Sequence, residues 1–278
     1  MTGRIVKVIS NQFTVLCDDK KYECAARGIF RKNREVPLAG DFVEFDNEKK
    51  LITKILNRKN ELVRPSVSNI DKALIVTSVG IPAFSSNLLD KMLCIIEYNN
   101  IKPVICFSKL DLLSKTELEE MKNYINYYKN IGYEVYLNTE IEKIKTIFKD
   151  CVTVFTGQTG AGKSTLLNSL NPNLNLKTDD VSEALGRGKH TTRHTELISL
   201  FDGLVADTPG FSALDFYGMS KSDIRDNFIE FNEYRHNCKY ADCMHDKENN
   251  CYVKRMVGEG NILPSRYENY LNFIRKVS

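Results

Sequence analysis

The stretch GQTGAGKST at residues 157–165 restricts this chain more than any other. Gly157 to Ser164 fit G-x-x-x-x-G-K-[ST]. Before them, CVTVFT (151–156) is an apolar run rich in β-branched residues and reads as a strand. After them, LLNSL (166–170) reads as the start of a helix. Strand, glycine loop and helix are the context in which this motif cradles phosphates. Glycines let backbone N–H groups turn inward around an anion, and the helix N-terminus adds its dipole. The expected cradle is Gly157, Gln158, Thr159, Gly160, Ala161, Gly162, Lys163, Ser164 and Thr165. Lys163 would reach the β- and γ-phosphates, and the Ser164 hydroxyl would ligate Mg²⁺. A glycine turn with a chance lysine is the competing reading, and both flanks argue against it. The stretch therefore calls for an α/β domain that holds a nucleotide where its strands end.

Which base the loop serves depends on a second motif. A guanine reader has the form N/T-K-x-D, its aspartate accepting from the base and its lysine packing along it. Downstream, SKSD (220–223) has no strand before it and reads instead as a helix start, with Ser220 as N-cap and Asp223 three residues on. Upstream, KPVICFSKLDLL (102–113) contains a strand-like run that delivers SKLD, with Ser108, Lys109 and Asp111, at its carboxyl end. Ligands of open α/β sheets bind there. A base reader that precedes the phosphate cradle implies a circularly permuted domain, cut at a loop as compact domains tolerate.

Further parts fit the same engine. ELISLFDGLVADTPG (196–210) reads as two strands joined at Asp202-Gly203. Asp207 ends the second strand and can hold Mg²⁺ through water; the Gly210 N–H can meet the γ-phosphate. Between cradle and hairpin, GRGKHTTRH (186–194) reads as a mobile loop. Thr192, chosen over Thr191, can close on Mg²⁺ when the γ-phosphate is present. Phe211 follows DTPG, where many GTPases carry a water-orienting glutamine. Intrinsic hydrolysis should therefore be slow, with His190, His194 and His236 as candidate substitutes.

The C-terminal region carries a second chemistry. HNCKYADCMHDKENNC (236–251) spaces Cys238, Cys243, His245 and Cys251 as C-x4-C-x-H-x5-C. Three thiolates and an imidazole suit a closed tetrahedral zinc site. Chance clustering of buried cysteines is the alternative, but the surrounding sequence is too polar to build much core. The other five of the eight cysteines are scattered, mostly in apolar runs, and read as buried thiols. PSRYENYLNFIRKV (264–277) reads as an amphipathic helix with Tyr267, Tyr270, Leu271 and Ile274 on one face. Lys239, Lys254, Arg255 and Arg266 are either phosphate contacts or a solvated face.

Residues 1–60 differ in texture. GRIVKVIS, QFTVLC, KYECAA, DFVEF and LITKIL are five short β-rich runs, which suggest a small barrel of OB type. Arg27, Phe30, Arg31, Lys32 and Arg34 form a candidate RNA contact. The chain, 278 residues with a net charge of +3, permits an anionic partner without demanding one. No apolar run approaches the roughly 18 residues of a membrane span, and no signal-peptide core opens the chain, so a cytoplasmic protein is expected.

Taken together, PLAGDFVEF (37–45), RPSVSNIDKALIV (64–76), SKLD before GQTGAGKS, GKHTTRH, DTPGF and the 236–251 knuckle resemble the circularly permuted, small-ribosomal-subunit-dependent GTPases of the RsgA (YjeQ) family. The resemblance covers nearly the whole chain. It implies an OB barrel (1–65), a permuted α/β P-loop GTPase domain (66–216) and a mostly helical zinc-binding domain (217–278). It implies GTP hydrolysis stimulated by the small (30S) subunit in its late maturation, and contact with 16S rRNA through the flanking domains. The cofactors implied are GTP or GDP, Mg²⁺ and zinc; the protein is expected to be monomeric and off the membrane. His236 matches a histidine proposed to assist hydrolysis. Two departures are visible. Ser108 stands where Asn or Thr is usual, which predicts weaker bracing around the base, and YLNTE (136–140) replaces a serine–alanine turn. Two other classes stay open: a P-loop ATPase or small-molecule kinase, and a non-catalytic, nucleotide-switched RNA-binding assembly module.

Overall fold

The structure is a computed structural model. It describes the chain except residues 29, 31–34, 63–65, 173–193, 208–214 and 278, and the side chains of His194 and Asp207.

Five strands close the N-terminal barrel: β1 (Thr2–Ile9), β2 (Gln12–Cys17), β3 (Lys20–Ala26), β4 (Phe42–Asp46) and β5 (Leu51–Ile55). They pair in the order β1-β2-β3-β5-β4, and β4 returns to β1. Closure removes the free edges that a small sheet would expose. Alternate residues point inward, so Ile5, Phe13, Val15, Cys24, Val43, Phe45 and Ile52 fill the interior. Phe30 packs with them and is buried. This corrects its reading as an RNA-facing aromatic: the ring is taken up by the apolar core of the barrel. Arg27 is exposed, and Arg31, Lys32 and Arg34 lie outside the described residues.

After two short strands, β6 (Glu61–Leu62) and β7 (Val67–Ser68), the central domain begins. Its elements are β8 (Lys72–Ser78), α1 (Ser86–Tyr98), β9 (Lys102–Ser108), a 3-10 turn (Leu110–Leu112), α2 (Lys115–Asn130), β10 (Glu134–Leu137), α3 (Ile141–Thr146), β11 (Val152–Thr156) and α4 (Lys163–Leu170), then β12 (His194–Leu200) and β13 (Gly203–Asp207). The strand order is β10-β9-β8-β11-β13-β12; all neighbours are parallel except β12, which runs antiparallel to β13. Helices cover both faces, which is why β8, β9 and β11 are continuous apolar runs. Leu89, Met92, Leu93 and Ile96 of α1 pack on one face with Met121 and Ile125 of α2. Ile144 of α3 and Leu166, Leu167 and Leu170 of α4 pack on the other.

The barrel and this sheet are one ladder. β1 pairs antiparallel with β12, with Lys7 opposite Glu196, and the two side chains form a 2.8 Å ion pair. The joint between the domains is also bolted by a buried carboxylate. Asp41 accepts from both Arg58 Nε and Nη2 at 2.7 Å and from Ser68 Oγ at 2.5 Å. Gly40, at φ +98°, lies so close that a Cβ would come within 2.0 Å of the Ser68 carbonyl oxygen.

The C-terminal region contains α5 (Lys221–Asp226), α6 (Ile229–Arg235), α7 (Tyr252–Gly258) and α8 (Pro264–Lys276). Ser220 and Asp223 form a reciprocal capping box at the start of α5, as SKSD suggests. Phe228, Phe231, Val253, Tyr270, Phe273 and Ile274 form a core that also takes in Cys94 and Ile95 of α1. Among the described residues no helix is long and apolar enough to cross a membrane.

A candidate nucleotide site and a candidate metal centre

The carboxyl ends of β8, β9 and β11 converge. β11 runs into the loop 157–162, and α4 begins at Lys163. Gly157 (φ +132°) starts the loop against β8, where a Cβ would sit 2.0 Å from the Val76 carbonyl oxygen. Only glycine passes there. Gly160 and Gly162 also hold positive φ. Ser164 is buried at the helix start, where its hydroxyl can face a bound cation. Lys163 Nζ donates to the carbonyls of Gly157 and Gln158, both at 2.8 Å. Burial pushes its ammonium below the ordinary lysine value. A phosphate arriving in the loop offers this partly desolvated ammonium a stronger partner than two carbonyls.

SKLD lies against the same loop. β9 ends at Ser108, Lys109 takes a left-handed conformation (φ 64°), and Asp111 sits exposed in the 3-10 turn. Ser108 Oγ donates to the Ala161 carbonyl at 2.6 Å. Lys109 Nζ donates to the Gly160 carbonyl at 2.7 Å and to the Ile81 carbonyl. The serine is short, yet its hydroxyl reaches the cradle directly, so the weaker bracing expected of it is replaced by a tight bond. Its neighbour β10 ends at Leu137, and Asn138 N donates to the Phe107 carbonyl at 2.9 Å. The 137–140 turn thus lies beside the strand that delivers SKLD.

Asp207 is the last residue of β13. Ala206 pairs with Val154 in parallel, so the register puts Asp207 beside Phe155, two residues before the glycine loop. Thr192, Gly210, Thr191, His190 and Phe211 lie outside the described residues. His236 is exposed at the C-terminus of α6, two residues before Cys238.

Cys238, Cys243, His245 and Cys251 come together, with all four ligand atoms within 4.8 Å of one another. Cys238 Sγ is 3.7 Å from His245 Nδ1 and 3.9 Å from Cys251 Sγ, and His245 Nδ1 is 3.3 Å from Cys251 Sγ. Zinc bonds of about 2.3 Å to sulfur and about 2.0 Å to nitrogen would make tetrahedral edges of roughly 3.5–3.8 Å, so the set fits the ion. His245 Nε2 is buried without a partner, its ring edge-on to Phe231, which leaves Nδ1 as the ligating atom. Burial pushes this imidazole down to about 4, so it is neutral and can ligate. Burial pushes the Cys251 thiol up to about 12, and a cation at the centre is what would hold it as thiolate.

Several of the basic residues nearby have partners within the chain. Arg266 is 1% exposed and paired with Asp90 and Glu230, which overturns both readings the sequence allowed for it. The face of α8 that packs is centred on Arg266, Tyr270 and Phe273, one step round from the expected one. Arg255 stacks on Tyr252, and Lys254 Nζ donates to the Asp246 carbonyl. The contact of Lys109 with Ile81 could not be read ahead, because its acceptor is a backbone carbonyl. Asp90 did leave a trace: it is a lone carboxylate in the apolar run LLDKMLCII.

A family model described as RsgA GTPase matches residues 55–217, and one described as RsgA N-terminal domain matches residues 2–53. A small ribosomal subunit biogenesis GTPase RsgA 2 of Oceanobacillus iheyensis is 45% identical over 99% of this chain and 97% of its own. A small ribosomal subunit biogenesis GTPase RsgA of Enterococcus faecalis is 46% identical over 100% and 95%. The crystal structure of YloQ, a circularly permuted GTPase, superposes with a TM-score of 0.84 at 39% identity, covering 99% of this chain and 94% of that one. YjeQ from Thermotoga maritima superposes at 0.85 with 32% identity, over 99% and 98%.

Proposed function

The chain belongs to the RsgA GTPase family, and from that premise we propose that it hydrolyses GTP in the biogenesis of the small ribosomal subunit. The observation that carries this reading is the direct bond from Ser108 Oγ to the Ala161 carbonyl, which joins a base reader to a phosphate cradle 53 residues away.

Asp111 accepts from the guanine edge, and Lys109 packs along the base. The amides of 157–165 and Lys163 take up charge that develops on the transferring phosphoryl, which is most of what such catalysis requires. Ser164 and Thr192 would hold Mg²⁺, Asp207 would act on it through water, and the Gly210 N–H would meet the γ-phosphate. Mg²⁺, when bound, neutralises charge between the β- and γ-phosphates. His236 is assigned to orient the attacking water. Cys238, Cys243, His245 and Cys251 would hold zinc, which would staple the 236–251 segment to the core built on Phe231 and Tyr270. The domains divide at 1–65, 66–216 and 217–278. The flanking two contact 16S rRNA, and the protein works as a cytoplasmic monomer, away from membranes.

The test is phosphate release from GTP and from ATP, with and without purified small ribosomal subunits. Slow GTP turnover that rises sharply with subunits, and little release from ATP, is the expected result. Turnover with ATP, or none that responds to subunits, would leave an enzyme of another class or a non-catalytic assembly module.

A further inference from the structure

Helix α1 is held on opposite sides by different domains. Ile81, in the loop that leads into it, gives its carbonyl to Lys109 Nζ, the same ammonium that reaches Gly160 of the cradle. Met92 faces the sheet, where Thr156 Oγ1 donates to its sulfur at 3.6 Å, and Thr156 is the residue before the first cradle glycine. Asp90, two residues and about 200° away round the helix, faces the C-terminal region.

Asp90 is completely buried. Its Oδ1 accepts from Arg266 Nη1 at 2.7 Å and from Tyr128 Oη at 2.6 Å; its Oδ2 accepts from Asn269 Nδ2 at 2.7 Å. Arg266 turns its Nε and Nη2 to Glu230 of α6, at 2.7 and 3.1 Å, and stacks 4.3 Å from the Phe228 ring centroid. Tyr127 Oη completes the shell of Glu230. Two carboxylates from different domains share one guanidinium, and the fork geometry admits one arrangement. Such a buried pair adds little net stability over apolar side chains, but it makes sliding of α1 against α8 costly.

We propose that Arg266 is a positioning residue for the guanine nucleotide. By clamping Asp90 it fixes the helix whose leading loop meets Lys109 through Ile81 and whose Met92 meets the strand end at Thr156, so the seating of the C-terminal domain sets nucleotide affinity. By reciprocity, a bound nucleotide tightens that seating. The inference rests on the guanine-site reading above.

The experiment is titration with fluorescent GDP and a non-hydrolysable GTP analogue, together with steady-state turnover. Four chains are compared: wild type, Arg266→Lys, the triple variant Asp90→Asn/Glu230→Gln/Arg266→Met, and Val15→Ala. The triple variant removes the buried charges together and so spares the fold; Val15→Ala weakens the barrel core instead. The triple variant is expected to lose about five-fold or more in affinity, the low end of usual coupling, while turnover at saturating GTP holds. Arg266→Lys should fall between, because an ammonium cannot fork to two carboxylates. It also carries the test should the triple variant not fold. Val15→Ala should bind as the wild type does. Unchanged affinity in the folded Arg266 variants, or an equal loss in Val15→Ala, overturns the proposal. A wild-type chain that binds no guanine nucleotide overturns the function itself, and this inference with it.

Discussion

The hydroxyl of Ser108 lies 2.6 Å from the carbonyl oxygen of Ala161 and also 3.3 Å from that of Thr77. One small side chain at the end of β9 therefore ties the strand that presents Lys109 and Asp111 to the loop that receives phosphate.

Removing that hydroxyl should be felt as affinity. Ser108→Ala leaves the Ala161 carbonyl without this donor, a loss of about 1 kcal/mol or somewhat more. GDP binding should weaken by roughly five- to ten-fold in a fluorescence titration, with the melting temperature little changed. Equal affinity in both proteins would show that the bond is incidental.

Gly157→Ala forces a methyl group into the Val76 carbonyl at a φ of +132°. The strain and the clash should together cost several kcal/mol, locally at the loop. Nucleotide binding is expected to vanish in calorimetry while the far-UV spectrum stays native. A variant that still bound would mean the loop can rebuild itself away from β8.

Metal should be stoichiometric and structural. Elemental analysis is expected to find one zinc per chain. Cys243→Ser, or a strong chelator, should lower the melting temperature and expose tryptic sites in the C-terminal region. Protein free of zinc that melts identically with and without chelator would remove the assignment.

Glu97 gives a pH signature. Burial pushes its carboxyl from 4.5 up to about 7, against the opposing pull of Arg266. The folded value lies above the unfolded one, so the neutral form is favoured on folding. Stability from this group is complete below about pH 4.5 and is lost as pH rises through about 7. Glu97→Gln should therefore gain on the wild type between pH 5 and pH 8, by about 1 kcal/mol once solvent screening of a partly exposed group is allowed for. A gap that stays constant across that range in urea titrations would contradict it.

The barrel joint can be cut by Asp41→Asn. The buried carboxylate binds Arg58 twice and Ser68 once, and Arg58 keeps some access to water. The substitution should destabilise by about 2 kcal/mol, below the range for a fully buried pair. Urea unfolding that did not shift would place the strength of the joint in the β1–β12 ladder instead.

Much of this was legible in the chain because it is local. Five alternating runs at 3–56 can bury one face only by closing on themselves, and they do. The runs before 108 and 157 are apolar throughout because both their faces are covered. Ser220 and Asp223 cap a helix through bonds three residues apart. The cysteine spacing brought its four ligands together as expected. Phe30 and Arg266 were misread for a common reason: an aromatic or a guanidinium looks like a surface contact until its partners are known, and those partners are distant in sequence.

The chemistry is written in short stretches of the chain. The glycines, Lys163 and Ser164 can only form a phosphate cradle after a strand; SKLD can only meet it if the domain is permuted; three thiols and an imidazole at that spacing ask for a metal. These follow from backbone sterics and ligand preference, which act over a few residues. How the parts hold one another emerges on folding. Ser108 finds a carbonyl, Lys109 finds two, β1 extends the ladder of β12, and Asp90 meets Arg266 across 176 positions. Carbonyl acceptors carry no side-chain signature, and a lone buried charge reveals nothing of its partner until burial makes that partner obligatory.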